Sequence, residues 1–135
     1  MALDLFETFA TDETKEIEGV EVPLGKGAFI TVARQGNPEY SRLILAEYEK
    51  HSDELDTLSP KEVAALDAEI MSRVMSESIL LGFRGLTFKG KEVKYSKKAA
   101  YEMLLELKDF RARVEKESKK VDHFRATYDK AAVKN

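Results

Sequence analysis

From Val63 onward apolar positions recur at three- and four-residue steps: Val63, Leu66, Ile70 and Val74, flanked by Met71, Met75 and Ile79. That period places them on one broad face of an α-helix. Its start is marked by Ser59-Pro60-Lys61-Glu62, a capping box with proline at the first helical position, in which hydroxyl and carboxylate each satisfy an orphan amide. A face this wide is too apolar to stand in water, so segments on both sides should fold over it. Ser59 to Leu81 is therefore expected to be the central helix of a mostly helical domain. Its methionines, Met71 and Met75, would suit either the core or an adaptable groove for a client.

The period changes upstream. Val20-Glu21-Val22 alternates, Pro23 interrupts, Gly25-Lys26-Gly27 supplies a turn, and Phe29-Ile30-Thr31-Val32 is rich in aromatic and β-branched residues. This predicts a β-hairpin, with Pro23 on an edge or at a strand end because it cannot donate to a ladder. Asn37-Pro38 then caps a helix whose stripe is Tyr40, Leu43, Ile44 and Tyr48, extended by Leu55. After the central helix, Gly82-Phe83-Arg84-Gly85 breaks the pattern, Leu86 to Tyr95 reads as a loop, and Ser96 caps a helix bearing Ala100, Met103, Leu104 and Leu107. Asp109 marks a bend, after which Phe110, Val114, Val121, Phe124 and Tyr128 continue as a heptad-like stripe in a long charged helix. Such a stripe either closes over the domain's own core or seizes another helix. The predicted class is thus α+β, mainly α-helical: an N-terminal hairpin followed by about four helices around a central one.

Residues 1–14 mix Leu3, Leu5, Phe6 and Phe9 with acids and threonines and read as an arm, with residues 15–135 as one domain. Phe6 and Phe9 would either form a helical turn docked on the body or serve as a contact for another subunit. At 135 residues and 43% hydrophobic the chain can bury one real core. Charged residues make up 35% and nearly balance at −3, which argues against a dominant polyanion-binding field. The absence of cysteine removes disulfides, thiol nucleophiles and thiolate metal sites. No stretch approaches the roughly 20 apolar residues of a membrane span, and the first ten residues lack a signal-peptide layout. A cytoplasmic location and no membrane contact are the expectations.

Candidate chemistry is sparse. Gly25-Lys26-Gly27 lacks the glycine spacing and the Ser or Thr of a phosphate loop. His51 and His123 are far apart in sequence and without further ligands at metal spacing, so His51 is expected to be a solvated helix-end residue. Lys89, Lys91, Lys94, Lys97 and Lys98, interleaved with Phe88 and Tyr95, form the most basic window; it would meet phosphates or an acidic partner, or simply stay solvated beside Glu92. No grouping of nucleophile, base and acid is visible. Neither an enzyme activity nor a cofactor is expected, and binding is the favoured class of function.

The order of signals resembles the tail assembly chaperones of long-tailed, siphovirus-type bacteriophages. The resemblance runs through the Phe arm, an Ile17-Glu18-Gly19-Val20 strand, Gly25 to Arg34, and Gly36-Asn37-Pro38-Glu39-Tyr40. It continues in Leu80-Leu81-Gly82-Phe83-Arg84-Gly85-Leu86-Thr87, Gly90, Tyr95-Ser96 and Phe124-Arg125-Ala126. The most specific pieces are Ala33-Arg34 to Tyr40 and Tyr95-Ser96. Departures are Phe83 where a Trp is usual, lysines where relatives are often acidic, and Lys94 where Pro is common. The resemblance implies a non-catalytic holdase that binds the tape measure protein, supports tail tube assembly in the host cytoplasm and is absent from the finished virion. It also implies a short form, with tail tube protein recruited by a longer form made by a ribosomal slip near Val133-Lys134-Asn135. Candidate contacts for the client, or for a weak homo-oligomer, are Phe110, Val114, Val121, Phe124, Tyr128, Phe6 and Phe9. A small nucleic-acid-binding module using Lys89 to Lys98, or a minor structural tail protein, are the alternatives.

Overall fold

The computed structural model describes residues 2–126. Two short helices, α1 (Leu5–Phe9) and α2 (Glu13–Glu18), precede the hairpin of β1 (Val20–Gly25) and β2 (Ala28–Val32). Helices α3 (Pro38–Lys50) and α4 (Ser52–Leu55) lead to the long α5 (Pro60–Ser78). Strands β3 (Leu80–Arg84), β4 (Thr87–Phe88) and β5 (Lys91–Glu92) follow, then α6 (Lys97–Glu106), α7 (Lys108–Ser118) and a 3-10 turn at Val121–Phe124. The class is α+β and mainly helical, as the pattern predicts.

The capping box forms at α5: Glu62 N donates to Ser59 Oγ at 3.3 Å and Ser59 N to Glu62 Oε1 at 3.2 Å. The helix ends at Ser78 rather than Leu81. Ile79 leaves it, its carbonyl accepts Ala33 N at 2.9 Å, and Leu80–Arg84 becomes the third strand of an antiparallel sheet ordered β1-β2-β3. A short apolar run that follows a helix in phase looks like its last turn; pairing with β2 decides otherwise. Val22, Ile30 and Phe83 lie in register across the three strands. They join Val32, Met75, Ile79, Leu80, Met103, Leu104 and Val114 in one core beneath α5, α6 and α7.

Both hairpin turns are Lys-Gly. Lys26 (φ 55) with Gly27 (φ 78), and Lys89 (φ 54) with Gly90 (φ 81), adopt the paired left-handed conformation that matches strand twist in two-residue loops. Leu86 to Tyr95 is thus not all loop, since β4 and β5 pair through Thr87↔Glu92 and Phe88↔Lys91. Pro23 lies in edge strand β1 beside a bulge. Ile17 and Glu18 belong to α2, so the first strand begins only after Gly19.

The terminal stripe is not one helix. A bend at Leu107 separates α6 from α7, and Arg111 Nη1 donates to Leu104 O at 2.8 Å across the corner. At the far end Ser118 Oγ turns back to Glu115 O at 2.6 Å and α7 stops. The chain then runs through the 3-10 turn to place Phe124 in the interior, where it is 0% exposed.

Candidate interaction surface

Residues 33–40 knit four parts of the fold together. Arg34 N donates to Glu16 O (2.9 Å) and Gln35 N to Ser118 O (3.1 Å). Asn37 Oδ1 accepts Tyr40 N (2.9 Å), capping α3, while its Nδ2 donates to Arg34 O (2.8 Å) and to Ser78 O (3.0 Å). The loop before α6 is a second junction. Tyr95 OH donates to Leu80 O at 2.9 Å, its ring meets Phe83 edge to face at 5.2 Å, and Ser96 Oγ accepts Ala99 N at 3.0 Å. Burial pushes the Tyr95 phenol pKa up, so it keeps the proton it donates. Both short runs that carry the strongest resemblance therefore build the scaffold.

One acid is deeply buried. Glu117, which interrupts the apolar stripe, is 1% exposed and receives Lys120 Nζ at 2.9 Å, His123 at 3.1 Å and Arg113 Nε at 3.4 Å. Burial opposes its charge, but hydrogen bonds from Lys120 and His123, aided by the charges of Lys120 and Arg113, win and lower its pKa to about 2. This cluster fixes the turn that delivers Phe124, so it reads as structural. His51, expected in solvent, is instead half-buried between Glu54 (3.1 Å) and Glu47 (3.7 Å), and Glu47 also binds Arg73 at 3.0 Å. Among the described residues no group of three or more histidines and acids is placed to hold a metal ion.

The candidate contacts separate into two sets. Val114 and Phe124 are both 0% exposed, Phe110 packs against the core and Val121 is half-buried, so this stripe closes the protein's own core. Tyr128 lies outside the described residues. Phe6 and Phe9, by contrast, stand in solvent with Leu3 and Leu5, from 60% exposure at Phe9 to 70% at Leu5. This arm is helical and is tied to the body at its base. Asp4 Oδ1 caps α1 through Glu7 N (2.9 Å), Asp12 Oδ1 caps α2 through Thr14 N (2.9 Å), and Asp12 N donates to Phe124 O (2.8 Å). Ala126 N donates to Ala10 O (3.0 Å), completing an antiparallel bridge between Thr11 and Arg125.

Ile17, exposed on α2, lines a shallow groove of about 360 Å³ with Pro38, Asn37, Ser78 and Leu81, edged by Glu39 and Glu77. Sequence reading missed Ile17 because it took the residue as strand. The only available signal was Asp12, which caps α2 one turn upstream. Leu3, Leu5, Phe6 and Phe9 together make an exposed apolar surface of the kind that marks interaction sites.

Residues 35–135 match the YdaY prophage protein family. No curated protein and no solved structure matches the chain. The family match takes in Asn37 with its bond to Ser78, all of α5, the Tyr95 junction and the Glu117 cluster, and covers well over half of the sequence. The chain belongs to the YdaY prophage protein family and is a protein of phage origin.

Proposed function

We propose that this protein is a tail assembly chaperone that holds the tape measure protein of a long-tailed phage in the host cytoplasm and leaves before the virion is complete. The observation that carries the reading is the exposed arm, on which Leu3, Leu5, Phe6 and Phe9 are each at least 60% exposed. A client of long amphipathic helices offers apolar stripes of matching chemistry, and exposed apolar side chains on a short helical arm can lie along one. Phage origin and the ordered resemblance along the chain support the same role.

Recruitment of tail tube protein by a longer, frameshifted form belongs to this proposal. The residues at which the ribosome would slip, Val133-Lys134-Asn135, lie outside the described residues. The test is co-purification from cells expressing this chain with the tape measure protein, together with mass spectrometry of finished particles. Stable capture of the client and absence from particles are expected. Presence in particles at stoichiometric level would instead make this a structural tail protein.

A further inference from the structure

We infer that the acidic N-terminal arm of one copy docks on the basic strip of a second copy, in a head-to-tail contact. Residues 2–18 carry six acids against one lysine, and residues 88–98 carry five lysines against one acid. Among the described residues no ion pair joins the two within one chain. Glu16 pairs with Arg34 at 2.8 Å, Asp4 and Asp12 cap their own helices, and Lys89 pairs with Glu106 at 2.8 Å. Among the described residues Lys91, Lys94, Lys97 and Lys98 are exposed and enter no ion pair, although the charge of Lys97 reaches Glu39 and Glu77 lies beside Lys97 and Lys98.

The placement of the lysines strengthens that field. Lys97 and Lys98 occupy the first turn of α6, which contains no acid. The free backbone amides there already present the positive end of the helix dipole, and carboxylates are the groups that stabilise such a position. Acids supplied by another molecule relieve this local excess. The arm supplies Glu7 and Glu13, both exposed, in the same stretch as Leu5 and Phe9, while Phe88 and Tyr95 offer half-buried rings within the strip. Charge thus selects the pairing and apolar contact holds it.

Because arm and strip are different surfaces, the contact is heterologous and repeats from copy to copy instead of closing in a two-fold dimer. It does not depend on the identity of any client. If the proposed function holds, a client that takes Leu5 and Phe9 competes with the neighbouring copy, and the assembly is a store of protected arms.

Sedimentation at low and high salt tests the inference, using three proteins: the wild type, an arm variant (Glu7→Lys with Glu13→Lys) and a strip variant (Lys91→Glu, Lys94→Glu and Lys97→Glu). All five positions are exposed, and circular dichroism confirms each fold. The wild type should associate at low salt and dissociate at high salt. Each variant alone should stay monomeric at concentrations where the wild type associates, and mixing the two should restore association, because a native arm then meets a native strip. A wild type that stays monomeric at low salt, or association indifferent to both charge reversals, overturns the inference. So does strip-dependent binding of duplex DNA with unchanged self-association, which assigns the lysines to nucleic acid. The strip variant keeps Leu5 and Phe9 and should still capture the client, so failure here is distinguishable from failure of the proposed function.

Discussion

Asn37 Nδ2 donates to the Ser78 carbonyl at 3.0 Å, joining the start of α3 to the end of α5 across 41 residues of sequence. The same side chain caps α3 through Tyr40 N and is 7% exposed. Asn37→Ala removes the cap and the side-chain donor to the buried Ser78 carbonyl, so a loss of about 2–3 kcal/mol is expected. Asn37→Asp keeps the acceptor for Tyr40 N but has no side-chain donor for Ser78 O, while Arg34 O keeps the backbone N–H of residue 37. Urea denaturation should rank wild type above both variants, and an Asp variant as stable as the wild type would show that the Ser78 bond contributes nothing.

Glu117 gives the protein an acid-sensitive lock. Its carboxyl, ordinarily near 4.5, is lowered to about 2 in the folded state. A depressed folded-state pKa means that the stabilisation is complete above about pH 4.5 and is lost as pH falls toward 2. The loss is on the order of 3 kcal/mol. Glu117→Gln should flatten the acid limb of a stability-against-pH curve while lowering stability at neutral pH. An unchanged acid limb in that variant would place the acid sensitivity elsewhere.

Phe124 and Val121 occupy neighbouring parts of one turn but differ in burial. Phe124→Ala empties a fully enclosed site and should cost about 3–5 kcal/mol, whereas Val121→Ala, at a half-buried site, should cost about 1 kcal/mol. Thermal melts of the two variants check this. Client capture should fall with Phe124→Ala only in proportion to lost folding.

Ser72 offers a substitution in the opposite direction. Its Oγ is buried in α5 and, among the described residues, has no hydrogen-bond partner. Ser72→Ala removes an unsatisfied hydroxyl and improves helix propensity, so a gain of about 1 kcal/mol is expected. A destabilised variant would mean that the hydroxyl has a partner in solution, such as an ordered water.

The parts of the fold legible in the sequence are those specified locally. Ser59-Pro60-Lys61-Glu62, Asn37-Pro38 and Ser96 each start a helix where their chemistry requires. Gly25-Lys26-Gly27 turns a hairpin for the same reason. What escaped depends on distant partners. Ile79 and Leu80 continue the helical period, and only pairing with β2, nearly fifty residues earlier, turns Leu80 into strand. Val121 and Phe124 keep a heptad-like spacing, yet the bond between Asp12 N and Phe124 O diverts the chain. The second Lys-Gly turn was readable by the rule that reveals the first, but its two-residue strands are too short to show alternation.

The most direct test of the central claim is the soluble yield of tape measure protein co-expressed with this chain or with a Leu5→Ser, Phe9→Ser variant. Both positions are exposed, so the variant should fold like the wild type and show the same circular dichroism. The account predicts that the wild type keeps the client in the soluble fraction and that the variant loses at least half of that effect. A variant that rescues the client as well as the wild type, or a wild type that rescues none, would contradict it.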